Sequence, residues 1–532
     1  MLITLHLLNL MHVILPVMFT QLVTMPVIQH VIPLVIPLAT LLVIPLAIPP
    51  ASQAEHTKIK GVLITNLKNN IFIKSFNIIS NQIKDKFYKY DKIKIEITPN
   101  GNFIDLIWID NFINSIKEYV YVREDENLLI ILPNQVYKLN NTATELLSFL
   151  LKGNSIISYL DSYLLNPQQI KAINYFICDL RSLLKGCFIE NEERKSIEVV
   201  PYNRYFYNYP ILSEIALTYA CNAICKFCYV DCSKNNKNDL TTEELKIIIW
   251  KIKNEAKVPT VSFTGGEPTL RHDLPELIKF ARSINLRVNL ITNGILIDQK
   301  LAKILKDAGL NSAQVSLEAG QEDIHESLTQ VKGSFCKTLS AIKYLKENNI
   351  FTHTNTTINQ LNKNFLLSII DIAKKIGTNR LSMNMLVPCG NSVNNPDLWI
   401  SYSEIGEIVN ELRLYSQQLN VEFMWYSPTP LCLFNPIQHR LGNKTCAAAH
   451  GLLSINPKGN ILPCSSLNIP LGNLLENNFN EIWFSEKAVY YRLLEFAPKL
   501  CKECSYFEIC GSACPIYFEK FGIKEINNKI FK

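Results

Sequence analysis

The chain has 532 residues, 48% of them hydrophobic and 19% charged, which predicts a folded protein of about two to four domains. The net charge of +6 is spread along the chain without a long Lys/Arg block, so the charge pattern argues against a nucleic-acid partner. Most of the 15 cysteines crowd into Cys221–Cys232 and Cys432–Cys514. This clustering excludes an evenly stapled secreted scaffold and predicts a cytoplasmic metalloprotein.

Residues 1–54 contain no Asp, Glu, Lys or Arg, and they repeat Val-Ile-Pro-Leu at 31–34, 35–38 and 43–46. A secretory signal needs a positive first region, and closely spaced prolines work against a membrane-spanning helix. Three interpretations remain: a membrane anchor, a disordered tail, or a start codon assigned too far upstream. The tail and the misassigned start are favoured, so no membrane partner is predicted.

Residues 55–200 predict a small α+β domain of the winged-helix type. Two short strands, Tyr119–Val122 and Leu128–Leu132, precede a helix that Asn141 or Thr142 can cap and that Gly153 ends. Its apolar face is formed at helical spacing by Ala143, Leu146, Leu147 and Leu150.

From 211 to 430, apolar strands alternate with amphipathic helices. The predicted strands are Ile211–Leu217, Val261–Phe263, Val288–Ile291, Ala313–Leu317, Phe351–Thr356 and Leu381–Leu386. The predicted helices lie around 242–254, 274–284, 298–308, 336–347 and 364–375. Six strands with helices between them predict an α/β fold with a parallel sheet, either open or closed into a partial barrel.

Three cysteines follow the first of these strands at C-x3-C-x2-C spacing: Cys221, Cys225 and Cys228. They lie on a loop at the carboxyl end of a strand, where parallel α/β folds carry their chemistry. Three thiolates can hold three irons of a cubane and leave the fourth iron open to a substrate. The alternative is a zinc knuckle, but structural zinc takes four ligands, so the spacing favours iron–sulfur.

The next strand ends carry further polar and glycine residues. Gly265-Gly266-Glu267-Pro268 follows the second strand, Thr292-Asn293-Gly294 follows the third, and Ser316 and Glu318 end the fourth. Glycines allow the backbone to approach a ligand closely, and the carboxylates can bind cationic groups or hydroxyls. Because all these residues lie at one end of one sheet, they predict a single site together with the cysteines.

The cysteine motif with Phe227, followed by Gly-Gly-Glu-Pro, resembles the radical S-adenosylmethionine (SAM) enzymes. The resemblance implies a partial (β/α)6 barrel of the TIM type, with a [4Fe–4S] cluster on the three cysteines and SAM chelating its open iron. It also implies a set of SAM contacts: Gly265, Gly266 and Glu267 on the methionyl amine, Ser316 and Glu318 on the ribose, Phe227 and Tyr229 beside the adenine, and Asn293.

Residues 431–532 resemble the SPASM extension of these enzymes, because Cys446, Gly459 and Cys464 give C-x12-G-x4-C and four further cysteines give C-x2-C-x5-C-x3-C. A zinc ribbon is the alternative. The resemblance implies one or two auxiliary iron–sulfur clusters. By position, Cys446, Cys464 and Cys514 would hold one cluster, and Cys501, Cys504 and Cys510 the other.

The family's seventh cysteine, downstream of Cys514, is absent. Cys432 is expected to complete the first auxiliary cluster. The second would then have an open iron or an oxygen ligand such as Glu519, or would not form. The five remaining cysteines, Cys178, Cys187, Cys232, Cys336 and Cys389, are expected to be buried structural thiols.

The strands and helix–Gly–helix of residues 55–200 resemble the PqqD-like element that binds the leader of ribosomally made peptides by strand addition. The predicted function is therefore a radical SAM maturase that crosslinks, epimerises or oxidises such a precursor peptide. A reductant such as ferredoxin or flavodoxin would supply its electron. The alternatives are a maturase of a protein, haem or metal cofactor, and a non-enzymatic iron–sulfur or zinc protein. No catalytic side chain is predicted, because the polar candidates His325 and Tyr426 are expected to be ordinary structural residues.

Overall fold

The computed structural model describes residues 94–96, 103–163, 165–190, 194–199, 207–230, 232 and 239–530. All of them fall within one compact unit, Tyr90–Lys532. The predictions for residues 1–54, and for the first part of the segment 55–200, lie outside the described residues. Within the described part of the chain, no helix is long and apolar enough to cross a membrane.

The amino-terminal part of the unit is a small α+β element. Its strands are β1 (Lys94–Glu96), β2 (Phe103–Asp105), β3 (Val120–Arg123), β4 (Leu128–Ile131), β5 (Gln135–Leu139) and β6 (Ile197–Glu198). Its helices are α1 (Ile107–Ile116), α2 (Asn141–Leu151), α3 (Ile156–Ser162) and α4 (Pro167–Leu184). Strands β3 to β6 form an antiparallel sheet in the order β3-β4-β5-β6, whose apolar face packs against the helices.

The two strands predicted in this element agree with β3 and β4 to within one residue. Helix α2 begins one residue earlier than predicted, because the Asn140 side chain accepts the Ala143 amide hydrogen at 2.8 Å and is the true N-cap. Gly153 ends the turn after α2 with a positive φ of 93°.

A ten-stranded sheet forms the main body, in the order β13-β12-β11-β10-β9-β8-β7-β14-β15-β16. Strands β7 to β13 are parallel and comprise Leu212–Thr218, Thr260–Gly265, Arg287–Thr292, Ser312–Ser316, Phe351–Ile358, Arg380–Met385 and Glu422–Trp425. Strand β14 (Leu452–Ile455) pairs in parallel with β7, and β15 (Asn460–Leu462) and β16 (Gly472–Asn473) continue antiparallel.

Helices follow the parallel strands in turn. Those of the parallel sheet are α5 (Thr242–Asn254), α6 (Leu274–Ser283), α7 (Gln299–Asp307), α8 (Glu322–Thr329), α9 (Ser334–Glu347), α10 (Leu366–Ile376) and α11 (Tyr402–Gln418). The carboxyl-terminal region adds α12 (Phe479–Trp483), α13 (Glu486–Arg492), α14 (Lys499–Lys502), α15 (Phe507–Cys510), α16 (Pro515–Phe521) and α17 (Lys524–Ile530).

The predicted parallel α/β fold with a central sheet is confirmed, and the predicted strands and helices are found within a few residues. Two parallel strands were not predicted. Strand β13 is a four-residue segment that begins with the exposed Glu422, and β14 lies beyond the predicted boundary at 431. Because β14 pairs with β7, the carboxyl-terminal region extends the same sheet.

One buried arginine joins the amino-terminal element to the domain of the ten-stranded sheet. Arg123 at the end of β3 is 2% exposed and pairs with Glu126 at 2.9 Å. Its guanidinium also donates to the carbonyl oxygens of Tyr209, Pro210 and Lys257 at 3.1, 2.6 and 3.2 Å. The planar fork of an arginine satisfies these acceptors together, so the contact fixes the element against the strand that leads to the cysteines.

We predict that Arg123→Ala lowers the free energy of unfolding by about 3 kcal/mol, because Glu126 and the three carbonyls lose their partner in a buried place. Lys152→Ala is the matched control, because the Lys152–Glu124 pair of the same element is exposed and its loss should cost less than about 0.5 kcal/mol. Urea unfolding of both variants measures the difference, and equal small losses would contradict the role given to Arg123.

Candidate functional site

The cysteine loop that follows β7 is held from two sides by backbone and amide hydrogen bonds. At the end of α8, the carbonyls of Thr329 and Leu328 accept the amide hydrogens of Ile224 and Lys226 at 3.3 and 2.9 Å. From the loop after β12, the Asn391 side chain donates to the Cys225 carbonyl at 2.8 Å. The positions of the three thiols are therefore set by protein contacts on either side of the loop.

The three predicted thiols lie together with a fourth. The Sγ atoms of Cys228 and Cys232 are 3.6 Å apart. A hydrogen bond between the thiols of Cys221 and Cys232 lowers the pKa of Cys221 and raises that of Cys232. Burial, and then the charge of Cys228, raises the pKa of Cys225 well above its usual range. Cys232 was expected to be a buried structural thiol, but it is half-buried and its sulfur lies beside that of Cys228, so that expectation is wrong.

The Gly-Gly pair is needed for the approach of two strands. Gly265 has φ +134°, and a Cβ there would lie 2.1 Å from the Thr218 carbonyl oxygen. A Cβ on Gly266 would lie 2.3 Å from the carbonyl oxygen of Ala220. Both contacts are with the end of β7, so any side chain here would push the cysteine loop away from β8. The Gly266 amide hydrogen is used in the same contact, donating to the Thr218 carbonyl at 2.8 Å.

Glu267 is fully buried, and its carboxylate accepts four hydrogen bonds from the protein. The donors are the Thr269 amide and hydroxyl at 3.0 and 2.6 Å, the Thr292 hydroxyl at 2.8 Å and the Asn293 amide at 2.8 Å. The predicted contact with the methionyl amine stays a prediction, and within the protein this carboxylate has a structural role. It ties the end of β8 to the end of β9.

Asn293 extends this connection to the cysteine loop. Its Nδ2 donates to Asn222 Oδ1 at 2.8 Å and lies 4.0 Å from Cys221 Sγ. The Nδ2 of Asn222 is buried and has no hydrogen-bond partner among the described residues. An orphaned donor beside Cys221 is what an anionic group held there would satisfy. Asn222 was not predicted, although its position inside the cysteine motif is a signal for it.

Glu318 lies two residues beyond β10 and is 2% exposed. One carboxylate oxygen accepts the Thr357 amide hydrogen at 2.9 Å, and burial raises the pKa of Glu318 to about 8. Its charge also raises the pKa of Cys225, so this carboxyl lies near the cysteine loop. Ser316 ends β10 in register with Asn355 and is half-buried.

His325 contacts the backbone of Glu318. The Glu318 amide donates to His325 Nδ1 at 3.2 Å, and burial lowers the pKa of His325 to about 4. Tyr426 is 40% exposed, and its hydroxyl contacts Met424 Sδ at 3.7 Å.

The two aromatic residues of the motif contact protein on different sides. Phe227 packs on the buried side chains of Leu328, Leu386 and Leu398. Tyr229 lines a closed cavity of about 10 Å³, just large enough for one water, together with Glu214. The adenine-facing positions of both residues stay predictions. Glu214, which sequence reasoning missed, accepts the Ser454 hydroxyl at 2.6 Å, and burial raises its pKa.

The carboxyl-terminal thiols form two groups. In the first, burial followed by the charge of Cys446 raises the pKa of Cys514 to about 12. Burial and the charges of Cys446 and Cys514 likewise raise the pKa of Cys464. These three cysteines were predicted to belong together, and the charge of Cys389 also acts on Cys514.

The second group contains Cys501, Cys504 and Cys510, and it also contains Cys432. Burial and then the charges of Cys510, Cys501 and Cys504 raise the pKa of Cys432 to about 11. The expectation that Cys432 joins the first group is therefore wrong. Glu519, the suggested oxygen ligand, is 69% exposed and pairs with the adjacent Lys520 at 3.6 Å.

The expectation of buried structural thiols is also wrong for Cys187 and Cys336, which are exposed. Cys178 and Cys389 are partly buried.

Comparisons with known proteins agree with this architecture. Residues 215–373 match the model of the Radical SAM superfamily, and residues 446–505 match that of the SPASM iron–sulfur cluster-binding domain. The chain therefore carries a Radical SAM domain followed by a SPASM domain.

Two curated relatives and one solved structure illustrate the range of similar proteins. An AdoMet-dependent heme synthase of Oleidesulfovibrio alaskensis is 26% identical over 320 residues, covering 56% of this chain and 80% of that protein. A PqqA peptide cyclase of Bradyrhizobium diazoefficiens is 27% identical over 320 residues, covering 57% and 81%. The structure of Streptococcus suis SuiB bound to its precursor peptide SuiA superposes with a TM-score of 0.57 at 18% identity, covering 76% of this chain and 96% of that one.

The cofactors of the chain are a [4Fe–4S] cluster, SAM and auxiliary iron–sulfur clusters. The residues present fit these groups, because soft thiolates are the ligands of such clusters and the described thiols form three groups. Among the described residues, no three His, Cys, Asp or Glu side chains converge closely enough to hold a single metal ion. The orphaned Nδ2 of Asn222 adds a donor for an anionic ligand beside the first group.

We predict that Glu318→Gln becomes progressively more stable than the wild type as the pH rises. The folded pKa of about 8 lies above that of an unfolded glutamate, so the folded state keeps a proton that the unfolded state releases. Stability is thus lost as the pH rises toward 8, and the wild type should lose about 2 kcal/mol relative to the variant between pH 6 and pH 8.

Urea unfolding at both pH values, under anaerobic conditions, measures this difference. Glu404→Gln is the control, because the Glu404 carboxylate accepts hydrogen bonds from Gln360, Lys363 and Ser401, and its pKa is lowered to about 2. Glu404 does not titrate between pH 6 and pH 8, so the difference in unfolding free energy between Glu404→Gln and the wild type should be the same at both pH values. A constant difference for Glu318→Gln as well would contradict the raised pKa.

Proposed function

We propose that this chain modifies a ribosomally made peptide, by crosslinking, epimerisation or oxidation, with a [4Fe–4S] cluster on Cys221, Cys225 and Cys228. The cluster and SAM together supply a one-electron cleavage that yields a radical able to abstract hydrogen from an unactivated C–H bond. The observation that carries the peptide substrate is the α+β element docked on the barrel through Arg123. The likeness in fold to SuiB, which was solved with its precursor peptide, extends over 76% of this chain.

The described residues around the loop have three proposed tasks. Asn391 and the carbonyls of Leu328 and Thr329 hold the thiols in place. Asn222, oriented by Asn293, offers its free amide hydrogens to an anionic group such as the SAM carboxylate. Glu318 offers its remaining carboxyl oxygen to a hydroxyl, which it can meet as donor below pH 8 or as acceptor above it.

The sheet of the α+β element suggests where a leader would bind. Leu132 donates to the Tyr119 carbonyl at 2.8 Å, so β3 and β4 are hydrogen-bonded at that pair. Along an antiparallel ladder, hydrogen-bonded residue pairs alternate with pairs that are not hydrogen-bonded. Val120 and Val122 belong to the second kind, so their backbone N–H and C=O groups point away from β4. Since β3 is an edge of its sheet, a leader strand can pair with these groups.

A second candidate is a maturase of haem or another cofactor, favoured by the 26% identity to the AdoMet-dependent heme synthase. That alignment covers 56% of the chain and leaves 44% outside it. The peptide proposal also gives a role to the α+β element. A third candidate function is that of a non-enzymatic iron–sulfur or zinc protein.

Anaerobic incubation with SAM and dithionite separates an enzyme from a binding protein. We expect the wild type to release 5′-deoxyadenosine and Cys225→Ala to release at least about a hundredfold less, because one cluster ligand is lost. Cys336→Ala removes an exposed thiol away from the three groups and should behave like the wild type. Equal release from wild type and Cys225→Ala would overturn the radical chemistry.

The peptide proposal is tested with the product of a short reading frame beside the gene. Its leader should bind the full chain, and Val122→Pro should weaken binding about tenfold, because proline removes an outward amide hydrogen from the β3 edge. Val199→Pro, just after β6 at the opposite edge, is the control and should bind like the wild type. Absence of binding, or equal loss in both variants, would overturn the proposed leader site.

A further inference from the structure

The second group of carboxyl-terminal thiols contains four cysteines, although its sequence motif supplies three. The fourth comes from the segment between β13 and the SPASM domain, 69 residues before Cys501 in the chain. This segment lies outside the matched SPASM residues 446–505.

A buried tryptophan fixes the start of this segment. Trp425 at the end of β13 is fully buried, and its Nε1 donates to the Thr429 hydroxyl at 2.9 Å. The chain then turns, since the Leu433 amide donates to the Pro430 carbonyl at 3.0 Å. Cys432 lies within this turn, so its position follows from the packing of the barrel.

Residues on both sides of Cys432 contact the end of α15. The Leu431 amide donates to Cys510 Sγ at 3.4 Å. Further along, the Asn443 side chain donates to the Ile509 carbonyl at 2.8 Å. An amide hydrogen directed at a ligand sulfur is a common feature around iron–sulfur clusters, where it tunes the reduction potential.

We propose that Cys432 is the fourth ligand of the second auxiliary cluster and completes a four-thiolate set with Cys501, Cys504 and Cys510. The charges of those three thiols act on Cys432, in agreement with this grouping. Four thiolates satisfy every iron of a [4Fe–4S] cluster, so the cluster needs neither a cysteine beyond Cys514 nor Glu519. The inference rests on the proposed function only in taking the chain to assemble iron–sulfur clusters.

Alkylation of the wild-type holoprotein tests the proposal without a mutation. Cys432, Cys187 and Cys336 are all exposed, so iodoacetamide can reach each of them. Because the raised pKa of Cys432 slows its free thiol, each cysteine is compared with itself, between anaerobic holoprotein with a full complement of iron and protein from which a chelator has removed the iron. We expect iron removal to speed the alkylation of Cys432 at least about tenfold, because a ligated thiolate is not a free nucleophile, and to leave the rates of Cys187 and Cys336 unchanged. An unchanged rate for Cys432 would overturn the proposal.

Metal analysis of Cys432→Ala gives an independent measurement. The variant should lose up to about four irons per chain, with loss of the corresponding Mössbauer signal, and Cys501→Ala should lose the same signal. Cys187→Ala should lose none. An unchanged iron content and spectrum in Cys432→Ala would overturn the proposal, and so would zinc in the wild type that the variant lacks. Failure of the proposed function would instead appear as no 5′-deoxyadenosine from an iron-complete wild type.

Discussion

The buried carboxylate of Glu267 holds together the strand ends on which the site depends. It accepts hydrogen bonds from Thr269 after β8 and from Thr292 and Asn293 at the end of β9. The backbone amide of Glu267 donates to the carbonyl of Ala220 at 2.9 Å, and Ala220 directly precedes the first cysteine. Three strand ends are thus joined at one residue. A buried charge is stable only when it is fully hydrogen-bonded, which explains why hydroxyl and amide donors surround it.

Much of the fold could be predicted from sequence, because hydrophobic periodicity is a local signal. The six apolar strands and five helices predicted between 211 and 386 were found within a few residues, whereas the short helix α8 (Glu322–Thr329) was not predicted. Strand β13 is short and half-exposed, and β14 becomes part of the sheet only by pairing with β7. Such strand pairings depend on tertiary structure and leave no local pattern in the sequence.

In the functional site, too, features with a local sequence pattern could be predicted and features that depend on tertiary contacts could not. The three motif cysteines could be predicted to lie together, because their spacing is local. The roles of Gly265, Gly266 and Glu267 could not, since they depend on what each residue contacts across the sheet, which is the end of β7 and of β9. Cys432 was assigned to the wrong group because its neighbour Cys510 is 78 residues away in sequence. The raised pKa of Glu318 depends on burial, which the sequence does not give directly.

The thiols of the chain have a common electrostatic property that connects structure to function. Burial raises the pKa of Cys225, Cys464 and Cys514, so the apoprotein holds these groups as neutral thiols. Cluster assembly must remove their protons, and iron then supplies the positive charge that makes buried thiolates stable.

The central claim is that the cluster on Cys221, Cys225 and Cys228 has an iron that SAM chelates. Electron–nuclear double resonance of the reduced protein tests it most directly, with SAM labelled with ¹⁵N in its amine and ¹⁷O in its carboxylate. The account predicts couplings from both labels to the cluster of the wild type. Full iron loading and bound SAM without either coupling would contradict it.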